Sequence, residues 1–546
     1  MAEAIKKLII ENFNILENRD QLEDVKRAYC RQFKLDTILN SDIFKTYRLL
    51  LAAKTIKRSE RFENLLRKRS VRTLSGIAPV AVLTKSYPCP GTCAYCPRQE
   101  DVPVSYLSNE PAVMRAIRCQ YDPYKQVVLR LKALENNGHE PEKIEIIVIG
   151  GTWSYLPQKY KYWYIANCFR AANDYPRLRL KKLSNAKEGD SFKININSFY
   201  KQNLSLANLK TALLREQQKN ENAKYRIIGL TLETRPDYIN EPELREMRTF
   251  GCTRVEMGVQ ALDNRILTLN KRGHGIEEVA EATKLLKEYG FKITYHIMPA
   301  LPGSTPAKDL KMFKMLFSDE RFQPDQIKFY PTVVTKGSLL YEWYRQGKYK
   351  PYSDKALQEL IVKCKAAVPE YVRIIRLIRD IPGESIVAGN KITNLRQVMQ
   401  QRGVKCNCIR CREVKDGHII SPKINIIEYP ASSGREFFLS ADSADHKTLY
   451  GFCRLRLDVN SPIAPAIIRE LHVYGKLVSV GGDKKVQHSG LGKQLLAAAE
   501  EIVKTNNLAK IAVISGVGVR GYYKKFGYKL KNTYLFKSFD KRPLLD

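Results

Sequence analysis

Cys89-Pro-Gly-Thr-Cys93-Ala-Tyr-Cys96 sets three thiols in one short loop, with three and then two residues between them. That spacing lets each thiolate take a different iron of a four-iron cluster and leaves the fourth iron open. An open iron can chelate the amino and carboxylate groups of S-adenosylmethionine (SAM), pass one electron to its sulfonium and release a 5'-deoxyadenosyl radical. The competing occupant is a structural zinc ion. Zinc wants a fourth Cys or His close by, and none follows before Cys119, so the [4Fe-4S] cluster is the preferred reading.

The rest of the chain sets the context for that loop. At 546 residues it is long enough for two or three domains. It holds 92 Lys and Arg against 57 Asp and Glu, a net charge of +35, which calls for a polyanionic partner. Nucleic acid fits that partner better than a membrane. No run of about 18 apolar residues occurs and the N-terminus lacks a signal-peptide pattern, so a cytoplasmic protein with no membrane partner is expected. Six of the twelve cysteines fall in two tight clusters, which suits metal ligation in a reducing compartment. Cys30, Cys119, Cys168, Cys252, Cys364 and Cys453 read as ordinary buried thiols.

Residues 1–75 read as helices with a basic end that includes Lys45, Arg48, Lys54, Lys57, Arg58, Arg61 and Arg67. A solvated helix face is the plainer meaning of a charge run. The whole-chain charge favours a nucleic-acid surface instead, with Arg373, Arg376 and Arg379 as a second candidate region. Over residues 76–335, β-rich runs at 144–151, 193–197, 227–233, 255–259, 292–298 and 327–330 alternate with helical patterns. Six such units predict an α/β domain, a partial (β/α)6 barrel open at its side, with the cysteine loop preceding the strands. Gly150-Gly151-Thr152 at a strand end lets the backbone approach a ligand and is a candidate for the methionine amino group of SAM. Glu233-Thr-Arg235-Pro-Asp237, at another strand end, is a candidate for the cofactor or substrate side.

Residues 336–418 read as a linker region carrying a second cluster, Cys406-Asn-Cys408-Ile-Arg-Cys411. Structural Zn2+ is the simplest occupant, a second iron-sulfur cluster the alternative, with His296 or His418 as candidate fourth ligands. From 419 to 546 successive strands lead to Gly490-Leu491-Gly492-Lys493, which opens an amphipathic helix before a strand at 510–515. Free amides at such a helix start can wrap a pyrophosphate. That order matches the acetyl-CoA motif of GNAT acetyltransferases. Tyr522 and Tyr523 follow, where a phenol can protonate the CoA thiolate as it leaves, and Tyr522 is the preferred acid.

The cysteine loop has the spacing of radical SAM enzymes. Together with the acetyl-CoA motif it makes the chain resemble the family of the catalytic subunit of Elongator, the tRNA uridine acetyltransferases, in its stand-alone prokaryotic form. The resemblance runs through nearly the whole chain, in residues 71–78, 114–118, 121–124, 150–152, 233–237, 379–382, 469–475 and 513–518. It implies a radical SAM barrel joined to a GNAT domain that forms 5-carboxymethyluridine at the wobble position of the tRNA anticodon. It further implies acetyl-CoA contacts from Lys143, Glu470, Leu471, His472, Val473, Gly490, Leu491, Gly492 and Tyr522, with Glu470 and Tyr523 beside Tyr522 as catalytic candidates. Pro97-Arg98 and Trp153 depart from the family pattern and bear on assembly into a larger complex.

Forming a carbon-carbon bond at uridine C5 calls for a radical. An anticodon loop, being single-stranded, can present its base without melting a helix. An electron donor is required, and a homodimer or Elongator-like accessory subunits are compatible with the sequence. Two other classes compete: a protein lysine acetyltransferase with a structural cluster, and a tRNA-binding scaffold with residual acetyl-CoA hydrolysis.

Overall fold

Alternation of polar and apolar residues builds the central sheet. In Lys292-Ile-Thr-Tyr-His-Ile297, Ile293 and Tyr295 turn to the helix-covered core. Thr294 and His296 turn to the other face, as a two-residue period requires, and bond to Gln326 and Glu256 there. The computed structural model describes residues 1–67, 76–184, 203–392, 394–414, 422–475 and 490–539.

Six strands run in chain order: β1 (Ala78–Leu83), β2 (Lys143–Ile149), β3 (Arg226–Thr234), β4 (Arg254–Gln260), β5 (Lys292–Ile297) and β6 (Gln326–Phe329). A short β7 (Val334–Thr335) pairs away from them with β9 (Ile386–Ala388), and β8 (Arg373–Arg376) between the two completes the main sheet. All pairs in that sheet are parallel, and it ends at β1 and β8 without closing. This is the expected partial barrel with two corrections. β1 contains Pro79, which demotes a run in sequence reading, yet an edge strand tolerates the missing N–H. The cysteine loop therefore follows the first strand and sits at its C-terminal end. β8 is four residues with an Arg at each end, too short and charged to show a strand pattern, so the barrel sheet extends into the stretch read as linker. The run at 193–197 lies outside the described residues.

The inner face of the barrel is charged. Arg254 bridges Thr231 (2.8 Å), Gln326 (3.0 Å) and Glu145 (3.1 Å). Glu256 receives His296 (3.1 Å) and Lys328. Buried charges persist only when paired in this way.

The C-terminal residues form a second sheet from β10 (Lys423–Ala431), β11 (Gly434–Asp442), β12 (Leu449–Leu457), β13 (Ala466–Val473), β14 (Lys510–Val513), β15 (Lys529–Lys531) and β16 (Tyr534–Ser538). Its order is β10-β11-β12-β13-β14-β16-β15, antiparallel except where β13 meets β14. This sheet docks on the N-terminal ends of the barrel strands. Lys292 at the start of β5 pairs with Glu470 (2.6 Å), and Arg469 reaches both Asp325, just before β6, and Glu436 (2.9 Å each).

Helices Ala2–Asn12, Arg19–Gln32, Asn40–Ala52 and Glu60–Leu66 pack around Leu8, Ile43, Tyr47 and Phe62. Arg67 ties this bundle to the barrel through the Gly138 carbonyl (2.9 Å), and Arg58 adds Glu140 (3.5 Å). Among the described residues, no helix is long and apolar enough to cross a membrane.

Candidate metal and cofactor centre

The cysteine loop is pinned on both sides by backbone bonds. Ala94 donates to Asn270 (3.0 Å), Leu340 donates to the Ala94 carbonyl (2.7 Å), and Arg98 donates to Gly337 (3.0 Å). Tyr95 buries its ring with Leu301, Val334 and Leu340, and Cys93 and Cys96 pack against the edge of that apolar cluster. Cys93 is held down as a thiolate, first by the Cys96 thiol and then by Arg272.

Gly150 and Gly151 follow β2 with φ of +129° and +109°, a region that excludes ordinary side chains. A Cβ on Gly150 would lie 2.2 Å from the Thr84 hydroxyl. Thr152 then leads into buried Trp153. At the end of β3, Glu233 accepts from the Tyr106 hydroxyl (3.1 Å) and lies 3.6 Å from His296. Arg235 grips Asp237 with two 2.9 Å bonds, while its Nη1 is buried, without a partner among the described residues, beside Gly91, where a Cβ would come within 2.2 Å of it.

Thus Cys89, Cys93, Cys96, Gly150, Gly151, Thr152, Glu233 and Arg235 converge on the C-terminal ends of the first three strands, where barrels of this kind carry their chemistry. The loop's thiolate, the orphaned guanidinium nitrogen and the side-chain-free Gly91 all fit an anionic cluster. Sequence reasoning missed Arg272 and the role of His296. The Lys-Ile-Thr-Tyr-His alternation of β5 was a usable signal for His296; Arg272 lies in a loop with no periodicity to reveal it.

A second group gathers at the other end of the strands. Lys143 starts β2 in register with Arg226, and burial lowers its pKa. Gly518 packs against that same Arg226, where a Cβ would lie 2.6 Å from the Arg226 Cβ. Among the described residues β13 and β14 pair at Ile467 with Ala512 and at Ile468 with Val513, and then part before Glu470, Leu471, His472 and Val473.

Gly490, with φ of +83°, caps the helix Leu491–Thr505. Gly492 faces Tyr522 so closely that a Cβ would lie 2.6 Å from its hydroxyl oxygen. Tyr523 is buried against Tyr522 and Tyr528, so of the two neighbours Tyr522 is the one at the helix mouth. Residues 476–489, just before this helix, lie outside the described residues. Glu470, expected among the catalytic candidates, is paired on both sides. Against the upward push of burial, Lys292 and Arg454 hold it down to about 2, so it stays a carboxylate between two cations.

Cys406, Cys408 and Cys411 bring their sulfurs within 4.8 Å of one another, compatible with the S···S separation of about 3.8 Å around a zinc ion. Their neighbour is Lys365, 4.0 Å from Cys411. His296 is committed to Glu256 at 3.1 Å inside the barrel and does not join this group; His418 lies outside the described residues. In the second basic region Arg373 pairs with Glu413 (2.7 Å) and Arg379 with Glu110 (3.2 Å) as internal braces, while Arg376 is exposed and pairs with Asp380 (2.5 Å).

Residues 84–316 match the Radical SAM superfamily and residues 324–403 the Radical SAM C-terminal domain, which defines the class of the barrel and its cysteine loop. The chain is 43% identical over 492 residues to the tRNA uridine(34) acetyltransferase of Dehalococcoides mccartyi, covering 87% of this chain and 100% of the relative. It is 36% identical to human Elongator complex protein 3, covering 86% of each. The solved archaeal Methanocaldococcus infernus Elp3 with an N-terminal deletion superimposes with a TM-score of 0.68 at 36% identity, covering 85% of this chain and 99% of that one. The chain belongs to the family of the tRNA uridine(34) acetyltransferases and Elongator complex protein 3.

Proposed function

We propose that this chain installs a carboxymethyl group at C5 of the wobble uridine, U34, of tRNA, taking the two carbons from acetyl-CoA. The observation that carries this reading is the cysteine loop at the mouth of an open barrel, in a chain matching the whole length of a tRNA uridine(34) acetyltransferase. Cys89, Cys93 and Cys96 would hold a [4Fe-4S] cluster, which with SAM supplies a carbon radical able to take hydrogen from an acetyl methyl group. The carbonyls around Gly150 and Gly151 suit an ammonium group, and Glu233 with His296 offers a polar wall for a splayed base.

In this reading residues 1–75 dock the anticodon stem-loop and residues 419–546 form a GNAT-type acetyl-CoA domain. The parted edge of Glu470 to Val473 would pair with the amides of the CoA arm, and the free amides after Gly490 would meet its pyrophosphate. Lys143 supplies a cation at the same end of the barrel. Glu470 is a positioning residue there. The two ends are about 20 Å apart along the seven residues of β2, and the polar inner face of the barrel joins them. Zinc at Cys406, Cys408 and Cys411 would fasten its loop to Val372, just before β8, where Ile409 already bonds (2.9 Å).

The decisive experiment incubates the reduced enzyme with SAM, acetyl-CoA and unmodified tRNA and analyses the nucleosides by mass spectrometry. 5-Carboxymethyluridine is expected. Unmodified U34 together with acetylation of a lysine peptide would replace this reading with protein acetylation.

The acetyl site makes its own prediction. Burial raises the Tyr522 pKa, which keeps its hydroxyl protonated. Tyr522→Phe should therefore preserve acetyl-CoA binding and slow thioester hydrolysis by about 100-fold. Tyr523→Phe should hydrolyse at the wild-type rate; the reverse pattern would assign the acid to Tyr523.

For the nucleic-acid surface, Lys45, Lys54 and Lys57 are exposed, whereas Arg58 and Arg67 both spend charge on Glu63. Replacing the three lysines by Gln should weaken tRNA binding and lower the slope of log affinity against log salt by about two. Unchanged affinity and slope would place the tRNA surface elsewhere.

A further inference from the structure

Arg272 is a buried cation without a carboxylate partner. Its side chain is nine-tenths covered, and among the described residues no Asp or Glu oxygen comes within 4.0 Å of its guanidinium. Nη1 donates to the Cys93 sulfur at 3.3 Å, Nη2 donates to the Gly258 carbonyl, and Nε has no partner among the described residues. The neighbouring buried guanidinium behaves differently: Arg235 is bidentate on Asp237 and donates to the Arg272 carbonyl at 2.9 Å. Arg254 and Arg469, equally buried, each hold carboxylates. A guanidinium out of water needs a counter-charge, and the groups that Arg272 faces supply one only through sulfur. His274 beside it is neutral at physiological pH, since burial brings its pKa down to about 4.

We propose that Arg272 is the fixed counter-charge of the iron-sulfur cluster and raises its reduction potential through Cys93. This rests on the reading that Cys89, Cys93 and Cys96 hold a [4Fe-4S] cluster. One-electron reduction by a low-potential donor adds one negative charge to the cluster. A positive charge fixed against a ligand sulfur stabilises that reduced form more than the oxidised one. Arg235 contributes less because Asp237 cancels most of its field.

The test is a redox titration of the anaerobically reconstituted full chain, without SAM or tRNA, followed by electron paramagnetic resonance and iron content. Arg272→Gln should lower the ratio of reduced to oxidised cluster at a given ambient potential at least tenfold, a downward shift of about 59 mV for a one-electron couple. Arg272→Lys keeps the charge and should shift it less. Asp237→Asn unmasks Arg235 and should move the midpoint upward, a change of sign that a purely structural role would not produce.

A wild-type midpoint in Arg272→Gln, with full iron, would overturn the proposal. So would an unmoved midpoint with weakened SAM binding, which would place Arg272 on the SAM carboxylate instead. Should Arg272→Gln retain no iron, recovery of iron in Arg272→Lys supports the charge role. Loss of iron from both, in chains that melt like wild type, overturns it in favour of a geometric hold on the loop. Absence of four irons from the wild-type chain would instead sink the cluster reading itself.

Discussion

Alanine at Cys89, Cys93 or Cys96 is expected to bring reductive cleavage of SAM to background and to empty most of the iron from a chain that otherwise holds about four. Each thiolate serves a different iron, so no neighbour can stand in for a lost one. The loop backbone does not depend on the thiols: it is held by the bonds of Ala94, Arg98 and Leu340, and by Tyr95 in its apolar cluster. The variants should therefore stay folded, with acetyl-CoA hydrolysis at the far end of the barrel intact. The comparison is Cys406→Ala, which should leave iron content and SAM cleavage unchanged while loosening the segment packed on β8. Equal 5'-deoxyadenosine from wild type and the three loop variants would remove the radical assignment.

What could be read in advance was whatever a few adjacent residues encode. The cysteine spacing, the paired glycines after β2 and the glycine that opens the helix at Leu491 each suggest their chemistry within a handful of positions, and the structure sets them after β1, after β2 and at a helix start. The strands announced by alternation were also legible. β1 was hidden by Pro79, and β8 by its length. Partnerships between distant residues left no trace. His296 looked like a spare zinc ligand because nothing in its neighbourhood announces Glu256, forty residues away. Glu470 read as a catalytic candidate with no sign of its pairing to Lys292, 178 residues earlier in the chain. Arg272 sits in a loop whose meaning depends wholly on Cys93, 179 residues earlier.

The same long-range pairing makes Asp325 the most consequential residue outside the two sites. Its carboxylate is fully buried just before β6, where it accepts from the Ile293 amide (2.8 Å) and from Arg469 (2.9 Å) and lies 3.5 Å from Arg454. These arginines come from β13 and β12, so one side chain ties the C-terminal sheet to the barrel. Asp325→Ala leaves two guanidinium groups without this counter-charge and should cost about 3–5 kcal/mol, read as a lower urea midpoint and as new proteolytic cleavage between the domains. Replacing Arg469 by Met in the same chain should recover part of the loss, because it removes one of the two guanidinium groups that lost Asp325, while Glu436 keeps Lys287 and Arg456.

Acid should act on the same joint. Burial pushes Glu436 up, but Arg469, Lys287 and Arg456 hold it down to about 2, and Glu470 is likewise held near 2. Carboxylates so depressed contribute stability that is complete above their unfolded value near 4.3 and is lost as pH falls toward 2. Separation of the C-terminal sheet from the barrel is expected in that window, ahead of loss of the apolar cores. A joint that survives to pH 2 with full near-ultraviolet dichroism would mean that the ion pairs add nothing to apolar contacts such as Ile467 against Gly290.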